Sequence, residues 1–194
     1  PANTRDDIVT FRSSFNNQDG ETIHPGYAMA IVEDRDSAIW LGTSKGLFRV
    51  DNPDKWSHRG FNVTQIKIPR NDGTNLADYL LAGVSISALA VDGANRKWVG
   101  TLDNGIYVLS PDALTGENHF TVENAPLFSN EIWSIACHPT SGVVMIGTSK
   151  GLMSYQAHVS LPETSLRNDN IRVYPNPVRP DYSGQITLDG LVTD

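Results

Sequence analysis

One phrase is written three times along this chain: Ile39-Trp40-Leu41-Gly42-Thr43-Ser44-Lys45-Gly46-Leu47-Phe48, then Lys97-Trp98-Val99-Gly100-Thr101-Leu102-Asp103-Asn104-Gly105-Ile106-Tyr107, then Val144-Met145-Ile146-Gly147-Thr148-Ser149-Lys150-Gly151-Leu152-Met153. Such a repeat constrains architecture more than any single residue, because each copy is one supersecondary unit that buries its apolar face only against its neighbours. The Gly-Thr pair recurs roughly every 50 residues, near the ~40–50 of one four-stranded propeller blade.

Each copy carries the same order of segments. A short apolar run comes first (Ala28 to Glu33, Ile86 to Val91, Ile132 to Cys137), followed by a polar turn opened by Asp34, Asp92 or His138. The run holding Trp40, Trp98 or Met145 comes next, and a glycine-bounded turn leads into Leu47 to Val50, Ile106 to Leu109 or Leu152 to Tyr155. That is strand, hairpin, strand, tight turn, strand. Phe61 to Ile68 and His119 to Glu123 are the expected fourth, outer strands. The first strand, rich in Ala, Ile, Val and Leu, is expected innermost and buried on both faces.

The fold class is therefore all-β: a partial propeller of about three four-stranded blades plus an outer strand, then the start of a small β-sandwich. The propeller spans residues 1–161, with blades at about 27–68, 86–123 and 132–160. Ile8 to Phe15 is the expected outer strand of an upstream blade, and Pro69 to Gly83 an inserted loop. Residues 162–170 are polar and repeat-free, as a linker is. A second β domain opens at 171–194. In it Pro175 and Pro177 confine their stretch to a sheet edge, because proline cannot donate to a ladder. No signal peptide or membrane-length apolar run is present, and the chain is expected to be a piece of a longer protein.

Fifteen basic against twenty-two acidic residues give a net charge of −7, with the basic residues scattered. That excludes the basic stripe of a nucleic-acid binder. The single Cys137 reads as a small buried hydrophobe, and the histidines show no metal-ligand spacing. No metal and no cofactor are expected.

The Gly-Thr-X-X-Gly turns lead into strands, not helices, so their glycines supply positive φ rather than a phosphate cradle. Asp34 and Asp92 open turns in equivalent positions, where an aspartate side chain accepts backbone N–H bonds two residues on. Trp40, Trp98 and Met145 share one repeat position and read as inter-blade core. Trp133 aligns with Met29 and Ser87, where size is not repeated, and stays open between core packing and a binding role. No nucleophile elbow and no paired carboxylates near the axis are present, so the chain is not read as an enzyme. Asn62-Val63-Thr64 and Asp36-Ser37-Ala38 are weak glycosylation-like tripeptides.

The Ile-Trp-Leu-Gly-Thr-Ser-X-Gly-Leu core with the preceding Ala-Ile-Val-Glu-Asp resembles the two-component-regulator propeller repeat of Bacteroidetes, over about residues 27 to 160. Val173-Tyr174-Pro175-Asn176-Pro177 resembles the opening of the C-terminal sorting-type domain of type IX (Por) secretion. Together they imply a non-enzymatic envelope component of the type IX attachment complex, at the cell surface or in the periplasm. Its propeller would dock other envelope proteins or bind an anionic lipopolysaccharide or oligosaccharide. The alternative is an extracytoplasmic ligand-sensing propeller of a hybrid histidine kinase. The expected ligand face gathers Lys45, Lys150, Asn130, Glu131 and Trp133 with the insertion from Arg70 to Asn75, lysines for charge and an indole for a sugar face. Its alternative is a solvated rim. Three blades leave open faces, expected to be lined by Trp40, Ile135 and Met145, so the chain is expected to self-associate.

Overall fold

The computed structural model describes residues 10–70, 72–157, 172–174 and 187–189. The chain divides into two compact units, residues 1–161 and 162–194.

The first unit opens with a hairpin of β1 (Phe15–Asn17) and β2 (Thr22–Ile23). The first blade follows as antiparallel β3 (Ala28–Glu33), β4 (Ile39–Thr43) and β5 (Gly46–Val50). A 3₁₀ turn at Pro53–Lys55 leads to β6 (Asn62–Val63), which pairs parallel with β1, while Thr64 bridges to Arg49 on the outer edge of β5. The hairpin of β7 (Lys67–Pro69) and β8 (Ala77–Tyr79) closes this region.

The second blade has the full four strands, β9 (Ile86–Val91), β10 (Lys97–Thr101), β11 (Ile106–Leu109) and β12 (Gly116–Phe120). The third has β13 (Ile132–Cys137), β14 (Val143–Thr148) and β15 (Gly151–Gln156). In the second unit β16 (Arg172–Tyr174) pairs antiparallel with β17 (Thr187–Asp189). The expected linker 162–170 and the Pro175 to Pro177 stretch lie outside the described residues.

The three first strands converge, β9 packing against both β3 and β13. Two cores fill the gaps between blades. Trp40, Leu47, Ile86, Val99 and Leu109 join the first blade to the second, and Trp98, Ile106, Ile132, Val144 and Ile146 join the second to the third. A third cluster, with Phe15, Leu41, Phe48, Phe61 and Val63, covers the side of the first blade turned away from the second.

Six expectations change. The innermost strand is not the most buried: β4, β10 and β14 are each more buried than the first strand of their blade, β10 throughout, whereas β3 and β13 are largely exposed. A middle strand has neighbours at both edges, while among the described residues no blade precedes β3 and none follows β13. The outer strand of the second blade lies three residues earlier than His119 to Glu123. Phe61 to Ile68 is divided between β6 and β7, and Pro69 to Gly83 contains β8. Ile8 and Val9 lie outside the described residues; residues 10–14 are not strand, and β1 starts only at Phe15. Finally, Trp40 is fully buried and Ile135 packs against the core between the second and third blades, so neither lines an open face; Met145, 39% exposed, does.

Candidate ligand face

The Gly-Thr-X-X-Gly turns owe their shape to the threonine. Thr43 Oγ1 donates to Gly46 O (3.0 Å) and accepts from Lys45 N (3.1 Å), and Thr148 does the same with Gly151 O (2.9 Å) and Lys150 N (3.2 Å). Thr101 closes the longer middle turn onto Gly105 O (2.9 Å). The second glycine of each turn has positive φ, as expected: +131° at Gly46, +72° at Gly105 and +134° at Gly151. The first glycine serves differently. A Cβ on Gly42 would lie 2.6 Å from Ile86 Cγ2, and one on Gly100 2.6 Å from Ile132 Cγ2, so these glycines let the next blade's first strand approach.

Each turn is tied to the segment that enters its own blade: Ser44 N donates to Tyr27 O (3.0 Å), Leu102 N to Ser85 O (3.1 Å) and Ser149 N to Glu131 O (3.1 Å). Two further bonds join neighbouring blades, Gly83 N to Lys45 O and Gly105 N to Asn130 O, both 2.9 Å. These ties put Lys45, Asn130, Glu131, Trp133 and Lys150 at one end of the blades.

They do not form one cluster. Glu131, Trp133 and the Lys150 turn share the third blade, where the 60% exposed indole donates Nε1–H to Glu131 Oε1 (3.2 Å). Asn130 is committed structurally, its Oδ1 accepting from Val122 N at 2.8 Å. Lys45 belongs to the first blade, with the second blade between. Neither lysine has an ion pair among the described residues. Arg70 is bound to Asp78 within the β7–β8 hairpin (2.6 Å), whose base is held by Tyr79 and Lys67 against Asp19 of the N-terminal hairpin. Sequence reasoning missed Tyr27, 81% exposed beside the Lys45 turn. Its signal was available: an aromatic in the segment that enters a blade, in the place held by Glu131 in the third copy.

At the opposite end the aspartates are fully occupied. Asp34 Oδ1 accepts Asp36 N (2.9 Å) and Ala38 N (3.0 Å), while Oδ2 accepts Trp40 Nε1–H at 2.8 Å. Asp92 repeats the pattern with Ala94 N, Arg96 N and Trp98 Nε1–H. Groups engaged in this way build turns and are not free for proton transfer. Among the described residues no set of His, Cys, Asp or Glu is grouped to hold a metal. A cavity of about 90 Å³ between the second and third blades is lined by apolar side chains such as Ile106, Phe120, Met153 and Tyr155, with no group for chemistry.

No protein-family model matches the chain, and no curated protein matches it. The solved structure of PorZ, an essential bacterial surface component of the type IX secretion system of Porphyromonas gingivalis, matches 92% of this chain at 32% identity and a TM-score of 0.72. The chain resembles PorZ. It covers 24% of PorZ, so it spans about a quarter of that relative. The extracellular domain of a hybrid two-component system from B. thetaiotaomicron matches 75% of the chain at 22% identity and a TM-score of 0.50, with 19% of that domain covered. The extracellular domain of a one-component system from the same organism matches 66% at 19% identity and a TM-score of 0.49, with 17% covered. The hybrid-system likeness speaks to fold alone. The likeness to PorZ thus bears out the resemblance to a type IX secretion propeller protein read from the repeat, and the hybrid-system likeness bears out the propeller fold. PorZ is a surface component, and among the described residues no helix is long and apolar enough to cross a membrane.

Proposed function

We propose that this chain is part of a PorZ-like envelope component of type IX secretion, non-enzymatic, working at the cell surface as a platform for other proteins of the attachment complex and for an anionic glycan. The observation that carries this reading is the 32% identity to PorZ over 92% of the chain. The glycan site centres on the third blade. There the exposed Trp133 face offers a stacking surface for a sugar ring, and Lys150 offers a cation. Glu131 orients the indole through its Nε1–H bond. Lys45 and Tyr27 make a separate, smaller aromatic and cationic pair on the first blade.

Two experiments test it. Disrupting the gene in the source bacterium should leave type IX cargo behind the outer membrane, and normal cargo release overturns the secretion reading. Calorimetry with purified anionic lipopolysaccharide glycan should show binding that Trp133→Ala and Lys150→Ala each weaken about tenfold, roughly 1.4 kcal/mol, while Lys45→Ala changes it little. Unchanged binding by a folded Trp133→Ala/Lys150→Ala protein removes the site.

A further inference from the structure

The middle Gly-Thr turn differs chemically from its two neighbours. The first and third read Ser44-Lys45-Gly46 and Ser149-Lys150-Gly151, whereas the second is one residue longer and ends in Asn104-Gly105, the one Asn-Gly pair in the 194 residues. Asparagine before glycine is open to intramolecular attack, because glycine has no Cβ to keep its amide nitrogen away from the neighbouring side-chain carbonyl carbon. Other asparagines precede bulkier residues, as in Asn95-Arg96, Asn118-His119 and Asn124-Ala125.

In the folded chain each group that the attack needs is engaged. Asn104 is exposed, but Gly105 is buried, and its N–H donates to Asn130 O at 2.9 Å. Asn104 N donates to Thr101 Oγ1 (2.8 Å), its carbonyl accepts from His119 Nε2 (2.7 Å), and its side-chain amide donates to Asp103 Oδ1 (2.8 Å). Thr101 closes the turn onto Gly105 O through both its N–H (3.0 Å) and its hydroxyl (2.9 Å). The nucleophile in such a reaction is the deprotonated glycine nitrogen, and a buried N–H committed to a carbonyl gives up its proton only once that bond is released. Asn130 stands in the segment that enters the third blade. Releasing Gly105 therefore requires the boundary between the second and third blades to open, where Ile132 is fully buried over Gly100.

We propose that Asn104 is a latent deamidation site gated by the contact between the second and third blades. When that contact opens, Gly105 N attacks Asn104 Cγ. The new C–N bond closes a five-membered succinimide, and the side-chain nitrogen leaves as ammonia, taking the Gly105 proton. Water then adds to either imide carbonyl and opens the ring to aspartate or to isoaspartate. Either product adds a carboxylate beside Asp103, at the end of the blades that carries Lys45 and Lys150. Isoaspartate also adds a carbon to the main chain, so the turn no longer closes onto Asn130. The reaction is a one-way record of blade opening.

The test is peptide mapping by mass spectrometry of the whole 194-residue chain held at pH 8, folded or in urea, scoring the amide-to-acid mass gain and the isoaspartate product at position 104. The folded chain should react at least about 100-fold more slowly than the unfolded one, because only the open fraction is competent. Ile132→Val, which trims one methyl at the gating boundary, should raise the folded rate about threefold to tenfold. Val63→Ala, in the cluster on the other side of the first blade, should leave it within about twofold. Equal rates folded and unfolded, no product from the unfolded chain, or equal acceleration by Val63→Ala each overturns the gated site.

Discussion

Lys97 Nζ, on the second blade, lies 3.1 Å from Asp34 Oδ2, on the first, with side chains 0% and 4% exposed. The ammonium also donates to Asn95 O (2.9 Å) and Pro111 O (2.6 Å), and it sits 5.2 Å from the Trp40 ring centroid. A buried charge is costly unless paired and hydrogen-bonded, and here both conditions are met across a blade boundary. Lys97→Ala should destabilise the fold by about 3–5 kcal/mol, the usual effect of removing one partner of a buried pair. Urea denaturation measures it.

The same pair sets an acid limit. Burial opposes the Asp34 charge, but hydrogen bonds from Trp40, Lys97 and the Ala38 N–H outweigh it and hold the carboxyl below its ordinary range. A carboxyl with a lowered folded pKa binds fewer protons folded than unfolded. Its contribution is therefore complete above the unfolded value of about 4 and is lost as pH falls through the lower folded value. Urea midpoints of the parent should drop below about pH 4, and those of Asp34→Asn should drop less steeply over the same interval.

Trp98 and Met145 occupy one repeat position in opposite circumstances. Trp98 is 1% exposed, donates to Asp92 and packs against Phe120 and Tyr155 with ring centroids 6.2 and 5.7 Å away. Trp98→Ala should cost about 3–5 kcal/mol, as large-to-small aromatic changes in a core do. Met145→Ala, at a 39% exposed position, should cost under about 1 kcal/mol. Equal losses at the two sites would mean that the third blade is covered in the monomer.

The repeat made the blades legible because hydrophobic periodicity and turn glycines are local signals, each sufficient for one hairpin. It also held a pairing that went unread: where Asp34 and Asp92 become His138, Trp40 and Trp98 become Met145. A buried indole N–H needs an acceptor, and Met145 has no N–H to satisfy. The turn at His138 survives because its ring Nδ1 accepts from Ser141 N at 3.2 Å. What was not legible was non-local. The parallel pairing of β1 with β6 joins residues some 46 positions apart, and Lys97 on the second blade finds its partner, Asp34, on the first. In the ligand face, the turns and their residues were readable, but the separation of Lys45 from Trp133 depends on the order of blades around the axis.

Cys137 is half-buried against the core between the second and third blades. Burial, with the Asp92 charge second, pushes its thiol up to about 12. At pH 8 the thiolate fraction is then on the order of one in ten thousand, against roughly one in four for a thiol of ordinary pKa. Ellman's reagent should label the folded protein at least about 100-fold more slowly than the urea-unfolded chain. Comparable rates would place the thiol in solvent.

Gly42, Gly100 and Gly147 look interchangeable in the sequence and are not so in the fold. At Gly42 an added methyl meets Ile86 Cγ2 at 2.6 Å and Ala30 Cβ at 3.3 Å; at Gly100 it meets Ile132 Cγ2 at 2.6 Å and Ala88 Cβ at 3.1 Å. Those neighbours are held by the inter-blade cores, so the blades must separate to admit the carbon, and overpacking of this kind typically costs about 1–3 kcal/mol. At Gly147 the methyl meets the Ser134 hydroxyl, which can rotate away because no further blade confines it among the described residues. Gly42→Ala and Gly100→Ala should therefore each lower the urea midpoint clearly, and Gly147→Ala much less. A Gly147→Ala loss equal to the other two would show that the third blade's outer face is packed within one chain.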